Sequence, residues 1–259
     1  MPYFRRLDQH RFLATEACGG AWDQATQHIA PALGLLVHEV ERDRDRRRSD
    51  GLAIGRLTYD ILGTVPVAEV DVSVQVIRAG RTIELVEARL RHAERDVVVL
   101  RAWLMQRLDT TTVEGTPLGT TAPPDDLPVW DPTSLWPGGF IRTVEVRRQL
   151  RAPGEGSFWV RTGTPLVDDE PVSDLARLSG LLDIANGMTV RVPPTEVLFP
   201  NVDLTVHLFR EPHGEWLGFE SRVSFGPDGL GLTSSVLHDG TGPVGSLAQL
   251  LTVRPLAQP

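Results

Sequence analysis

Any chemistry done by this chain has to be assembled from residues far apart in sequence, because no local stretch carries a complete catalytic signature. All 26 basic residues are arginine, so no lysine can form a Schiff base with a substrate carbonyl or with pyridoxal phosphate. The seven histidines show no HExxH motif and no paired metal-ligand spacing, which argues against zinc hydrolysis. There is no Gly-x-Ser-x-Gly elbow to present a serine nucleophile, no Walker loop and no Rossmann glycine fingerprint. Cys18 stands alone and cannot form an internal disulfide. Neither a metal nor an organic cofactor is expected.

The elements that would position a site repeat. In the first half, Leu33, Leu36, Val37 and Val40 follow helical spacing, and Pro31 suits the first turn, where its missing N–H costs nothing. Four strand-like stretches follow: GRLTYDIL (55–62), VAEVDVSVQVIRAG, RTIELVEARLRH and DVVVLRAWLMQRL. Val70 to Val76 alternates apolar and polar residues, as a half-buried strand does, and Ala-Gly-Arg at 79–81 reads as a hairpin. Residues 109–139 are rich in Thr, Pro, Gly and Asp and read as a linker, with Trp130 and Trp136 as anchors on a domain surface.

Beyond the linker, TVEVRRQL and SFWVRTG read as strands. A second helix is then expected from Pro171, with Val172, Leu175, Leu178, Leu182 and Ala185 at helical spacing and Gly187 as its C-cap. Four more strands follow: NVDLTVHLFR, EWLGFESRVSF, LGLTSSVLHD and PVGSLAQLLTVRP. One helix followed by an antiparallel meander is therefore used twice, over domains 1–108 and 140–259. Such a meander curls, and one helix fills its concave face.

Composition bounds the partners. Hydrophobic content of 41% and charged content of 23% are ordinary for a globular protein, and a net charge of −8 disfavours a nucleic-acid surface. The run Arg42 to Arg48, mixed with aspartate, reads as a solvated helix end. No run of eighteen apolar residues predicts a membrane span, and the first residues lack a signal-peptide core, so a cytoplasmic protein is expected.

The sequence resembles the double-hotdog acyl-CoA thioesterases of the thioesterase II-like superfamily. The resemblance rests on QHIAPALGLLVHEVE (27–41), RLTYDIL (56–62) and RAGRTIELVEARLR (78–91) in one half. In the other it rests on FPNVDLTVHLFR (199–210), EWLGFESRVSFGPDGLG (215–231) and PVGSLAQ (243–249). It implies an α+β double hotdog: two tandem antiparallel sheets, each wrapped around a central helix, joined as one continuous sheet. It also implies hydrolysis of a fatty-acyl or related acyl-CoA, a place in lipid metabolism, and an acyl-CoA partner. Two fused hotdogs already form the paired unit, so a homo-oligomer is optional. The alternative is a non-catalytic acyl or small-ligand binding protein on the same fold. The hotdog dehydratases are disfavoured, because the chain lacks their histidine followed by suitably placed glycine and proline.

Carried over residue by residue, the resemblance places a catalytic carboxylate at Asp203, a hydroxyl at Ser224 and an amide at Gln249. Together they would hold a water against the thioester carbonyl beside the amino end of the other half's helix. That end, at His28, Ile29 and Ala30, would bind substrate and stabilise the oxyanion. Ile29 and Ala30 stand where many relatives have two glycines, adding side chains where the acyl group would lie. Overlaying the halves sets Asp203 opposite Thr58, Ser224 opposite Ile77 and Gln249 opposite Ala102.

Overall fold

The computed structural model describes residues 1–256. Its first helix, α1 (Ile29–Arg47), is buried without a break from Ala30 to Val40. A helix apolar on all sides must be enclosed, and this one is wrapped by its sheet rather than laid on it by one stripe. Four strands follow it: β3 (Ala53–Ile61), β4 (Glu69–Arg78), β5 (Ile83–His92) and β6 (Arg95–Met105). Two short strands that periodicity did not reveal, β1 (Phe4–Arg6) and β2 (Arg11–Ala14), extend the sheet beyond β4.

The second half repeats the plan. It contains β7 (Val129–Trp130), β8 (Val144–Ala152) and β9 (Glu155–Thr162), then α2 (Asp174–Ser179) and α3 (Ala185–Met188). The short strand β10 (Val197–Leu198) leads into β11 (Asp203–Leu208), β12 (Leu217–Phe225), β13 (Leu230–Asp239), β14 (Gly242–Thr252) and β15 (Arg254–Pro255). β10 and β15 pair with each other as a separate ribbon. All the others join one 13-stranded sheet in the order β1-β2-β4-β5-β6-β3-β11-β14-β13-β12-β9-β8-β7.

That order corrects the simple meander in each half. β3 and β11 do not lie beside the strands that follow them; each crosses to the far side of its own half and pairs with the last long strand there. The crossing brings β3 and β11 together as the seam, with Thr58 opposite Thr205 at its midpoint. The register around this midpoint relates the halves by a pseudo-twofold that superposes Thr205 on Thr58, and so Asp203 on Arg56 rather than on Thr58. Followed outward through the pairings, it superposes Gln249 on Ala102 and Val223 on Val76, which sets Ser224 at Ile77, as the overlay of the two sequences does.

The second helix is not continuous. Ser173, rather than Pro171, caps it, its Oγ accepting the Ala176 N–H at 3.0 Å. It stops at Gly180, passes through a 3-10 turn at Leu182–Ile184 and resumes as α3, which ends at Thr189 beyond the expected Gly187. The two helices touch where it breaks: a Cβ on Gly34 would lie 2.7 Å from the Ala176 carbonyl and 2.9 Å from the Gly180 Cα.

The basic run is less solvated than expected. Arg47 and Arg48 both clamp Glu84, which is 1% exposed. The linker is partly built into the fold: Trp136 is 4% exposed and donates from Nε1 to the Gly187 carbonyl at 2.8 Å. Trp130 lies under the Arg148 guanidinium. No helix among the described residues is long and apolar enough to cross a membrane.

Candidate active site

A cavity of about 640 Å³ opens where the two halves meet. The amino end of α1 supplies His28 and Ile29 from the first half; the 3-10 turn and α3 supply Asp183 and Met188 from the second. Trp136 and Phe199 pack edge-on against Trp22, giving the cavity an aromatic wall. The interior is therefore mostly apolar with a few convergent polar groups, the usual make-up of a small-molecule site.

Asp183 is the unusual member. It sits between Leu182 and Ile184 on the turn that interrupts the second helix and is 8% exposed. Burial drives its pKa up from 3.8 to about 7, although the Asn201 side chain donates to Oδ1 at 2.7 Å and works the other way. A carboxyl tuned to neutrality can take a proton from water and return it, as a general base–acid must.

His28 faces it from the other half. Its Nδ1 accepts the Ala30 N–H at 3.2 Å and lies 3.6 Å from Asp183 Oδ2. Burial pushes the His28 pKa down to about 3, so at neutral pH the ring carries no charge and cannot hold Asp183 ionised. With Nδ1 as acceptor, the ring proton resides on Nε2. The next amide, that of Ile29, has no backbone acceptor among the described residues, which leaves one helix-end donor beside the cavity.

The structure does not bring Asp203, Ser224 and Gln249 together. Asp203 starts β11, and its Oδ1 accepts the Leu250 N–H at 2.6 Å, so the carboxylate ties down a strand end. Ser224 is exposed and pairs with Leu232, whereas its neighbour Val223 pairs with Thr233, the partner of Gln249. Because side chains alternate across a sheet, Ser224 and Gln249 lie on opposite faces. Gln249 points inward and is 0% exposed, and both its amide atoms lack a hydrogen-bond partner among the described residues. His28 and Ile29 line the cavity; Ala30 is fully buried, with its N–H taken by His28.

Asp183 and Asn201 escaped the sequence reading, yet each left a trace. A carboxylate embedded in LLDIANGM has to be buried with the apolar residues around it, and a buried charge needs a reason. Asn201 stands two residues before Asp203 in the same NVD stretch, so a small offset separates the expected residue from the one that reaches the cavity.

Profiles of the acyl-CoA thioesterase N-terminal and C-terminal domains match residues 19–105 and 123–253. The chain belongs to the acyl-CoA thioesterase family. Among solved structures, this thioesterase-family chain resembles a hot dog fold protein of Alicyclobacillus acidocaldarius, with a TM-score of 0.75 at 14% identity over 97% of this chain and 96% of the other. It also resembles an acyl-CoA thioesterase II of Mycobacterium marinum, with a TM-score of 0.70 at 15% identity over 98% and 96%. At such identities the likeness speaks for the double-hotdog fold. No curated protein sequence matches the chain.

Proposed function

We propose that the chain hydrolyses an acyl-CoA thioester in this cavity, with Asp183 as the general base. The observation that carries the reading is a buried carboxyl lifted to about 7, steadied by Asn201 and facing a helix amino end from the opposite half. Asn201 engages Oδ1 and leaves Oδ2 on the side of His28. In the proposed step, water attacks the thioester carbon while Asp183 takes its proton. The carbonyl oxygen becomes an oxyanion that the Ile29 N–H can stabilise. Collapse breaks the C–S bond, and the proton on Asp183 passes to the departing thiolate, giving the free acid and the CoA thiol.

Gln249 remains in the proposal as a third holder of the water. It comes from β14, whose Leu251 bridges Asn201, and it points inward. A buried amide without partners costs roughly 1–3 kcal/mol, so its retention is better explained by use than by packing. Ser224 and Asp203 leave the proposed water site because of the face and the bond they occupy.

Thiol release from a panel of short, medium and long acyl-CoAs tests this. Wild-type protein should release thiol, and Asp183→Asn should lower turnover by about 10² or more, while Asp203→Asn should stay within threefold of wild type. Acyl-CoA that stabilises the wild-type protein without releasing thiol would instead make it a binding protein.

A further inference from the structure

We infer that Arg254 anchors the phosphates of the CoA moiety at the mouth of the cavity. This deepens the thioesterase reading and rests on it. Among the cavity-lining residues Arg254 is the only arginine, and the same lining carries the carboxyl groups Asp23 and Asp183. The whole chain bears a net charge of −8, so a ligand with a diphosphate and a further phosphate meets an unfavourable field unless a cation stands at the entrance.

Arg254 is placed for that work. It is exposed on β15, two residues past Thr252, which also lines the cavity. β15 belongs to the ribbon with β10 rather than to the main sheet, and Phe199, the residue after β10, packs edge-on against Trp22 at 5.6 Å between ring centres. The ribbon and the Trp22 loop thus flank one opening, with a guanidinium on one side. Many other arginines hold carboxylates, as Arg6, Arg47 and Arg210 do, but Arg254 forms no ion pair among the described residues. A guanidinium is suited to phosphate because its planar donors match two oxygens at once.

The comparison that isolates this contact uses an acyl-CoA and the S-acyl-pantetheine with the same acyl group, which lacks the nucleotide phosphates. Arg254→Gln should lower the preference for the CoA ester, read as the ratio of the two kcat/KM values, by about tenfold through KM. Arg254→Lys should restore part of it. Free CoA should raise the melting temperature of wild-type protein and do so less for Arg254→Gln. A preference unchanged by Arg254→Gln, or an equal loss on both esters, overturns the assignment. If neither ester is hydrolysed but CoA stabilisation still depends on Arg254, the anchor stands and the hydrolase reading falls.

Discussion

The pseudo-twofold creates two equivalent helix amino ends, and only one of them is a candidate site. At the first, His28 caps α1 and lies 3.6 Å from Asp183 in the wall of the cavity. At the second, Ser173 caps α2, and His38, which lies as far past His28 as Asp183 lies past Ser173, meets Glu170 at 3.1 Å. Arg6 and Arg42 reach the same Glu170 at 2.5 Å, and Arg6 also binds Glu39. Burial works against the charge on Glu170, but Arg6, His38 and Arg42 together hold its pKa down to about 2. One carboxyl has been stripped of cations and lifted into the working range; its neighbour across the axis is saturated with them and locked as an anion. A shared backbone plan therefore does not determine a site. The charges brought to each helix end do.

The inner faces of the two sheets differ in the same way. Gln249, Thr233 and Ser235 of the second half occupy the places of Ala102, Val86 and Ala88 in the first, all six buried, and buried Ser221 stands where the first half has Val74. Ser221 and Ser235 satisfy each other at 2.6 Å, whereas the Thr233 hydroxyl and the Gln249 amide have no partner among the described residues. The half that supplies the proposed base also carries the polar interior.

The largest expected effect follows from Asp183→Asn, and it has two opposite signs. Turnover should fall by about 10² or more, while stability at pH 8 should rise. In the folded protein the carboxyl titrates near 7 against 3.8 when unfolded, so the fold binds the extra proton between those values. Stability is then lost as pH climbs through about 7, by roughly 4 kcal/mol in full, and an uncharged amide removes that loss. Urea melts at pH 5 and pH 8 should show the variant gaining most at the higher pH. Glu170→Gln should do the reverse: it should cost roughly 2–4 kcal/mol by leaving arginines unpaired, with turnover of the surviving folded protein near wild type. Smaller again is Gln249→Leu, which makes this place apolar, as it is at Ala102 in the other half. It should gain about 1 kcal/mol in stability and lower turnover, a pairing that chemical denaturation and thiol release can read together. A Gln249→Leu variant with full activity would make the polar interior irrelevant to catalysis.

Much of the fold was legible because it is written as periodicity. The alternation in β4 and the apolar spacing of α1 survive in the burial pattern of each element. Strand order was not legible, since pairing β3 with β6 is a non-local choice that no short window records. The break at Gly180 escaped because Leu178, Leu182 and Ala185 keep helical spacing across it, and the close approach of Gly34 from the other helix at that point is a tertiary contact. Of the site, His28 and Ile29 could be placed because a helix start is a local feature. Asp203 was preferred to Asp183 because the family resemblance carries the carboxylate onto the NVD stretch. Only the tertiary structure shows that the Asp203 oxygen is bound to the Leu250 N–H and that Asp183 is the buried carboxylate facing the cavity.

The dependence of kcat/KM on pH for an acyl-CoA, measured from pH 5 to pH 9, puts the proposed base to its most direct trial. The account predicts a rise with increasing pH through an apparent pKa near 7, a plateau above it, and no such inflection in the residual activity of Asp183→Asn. A profile already level at pH 5, or an inflection near 7 that persists in Asp183→Asn, would contradict it.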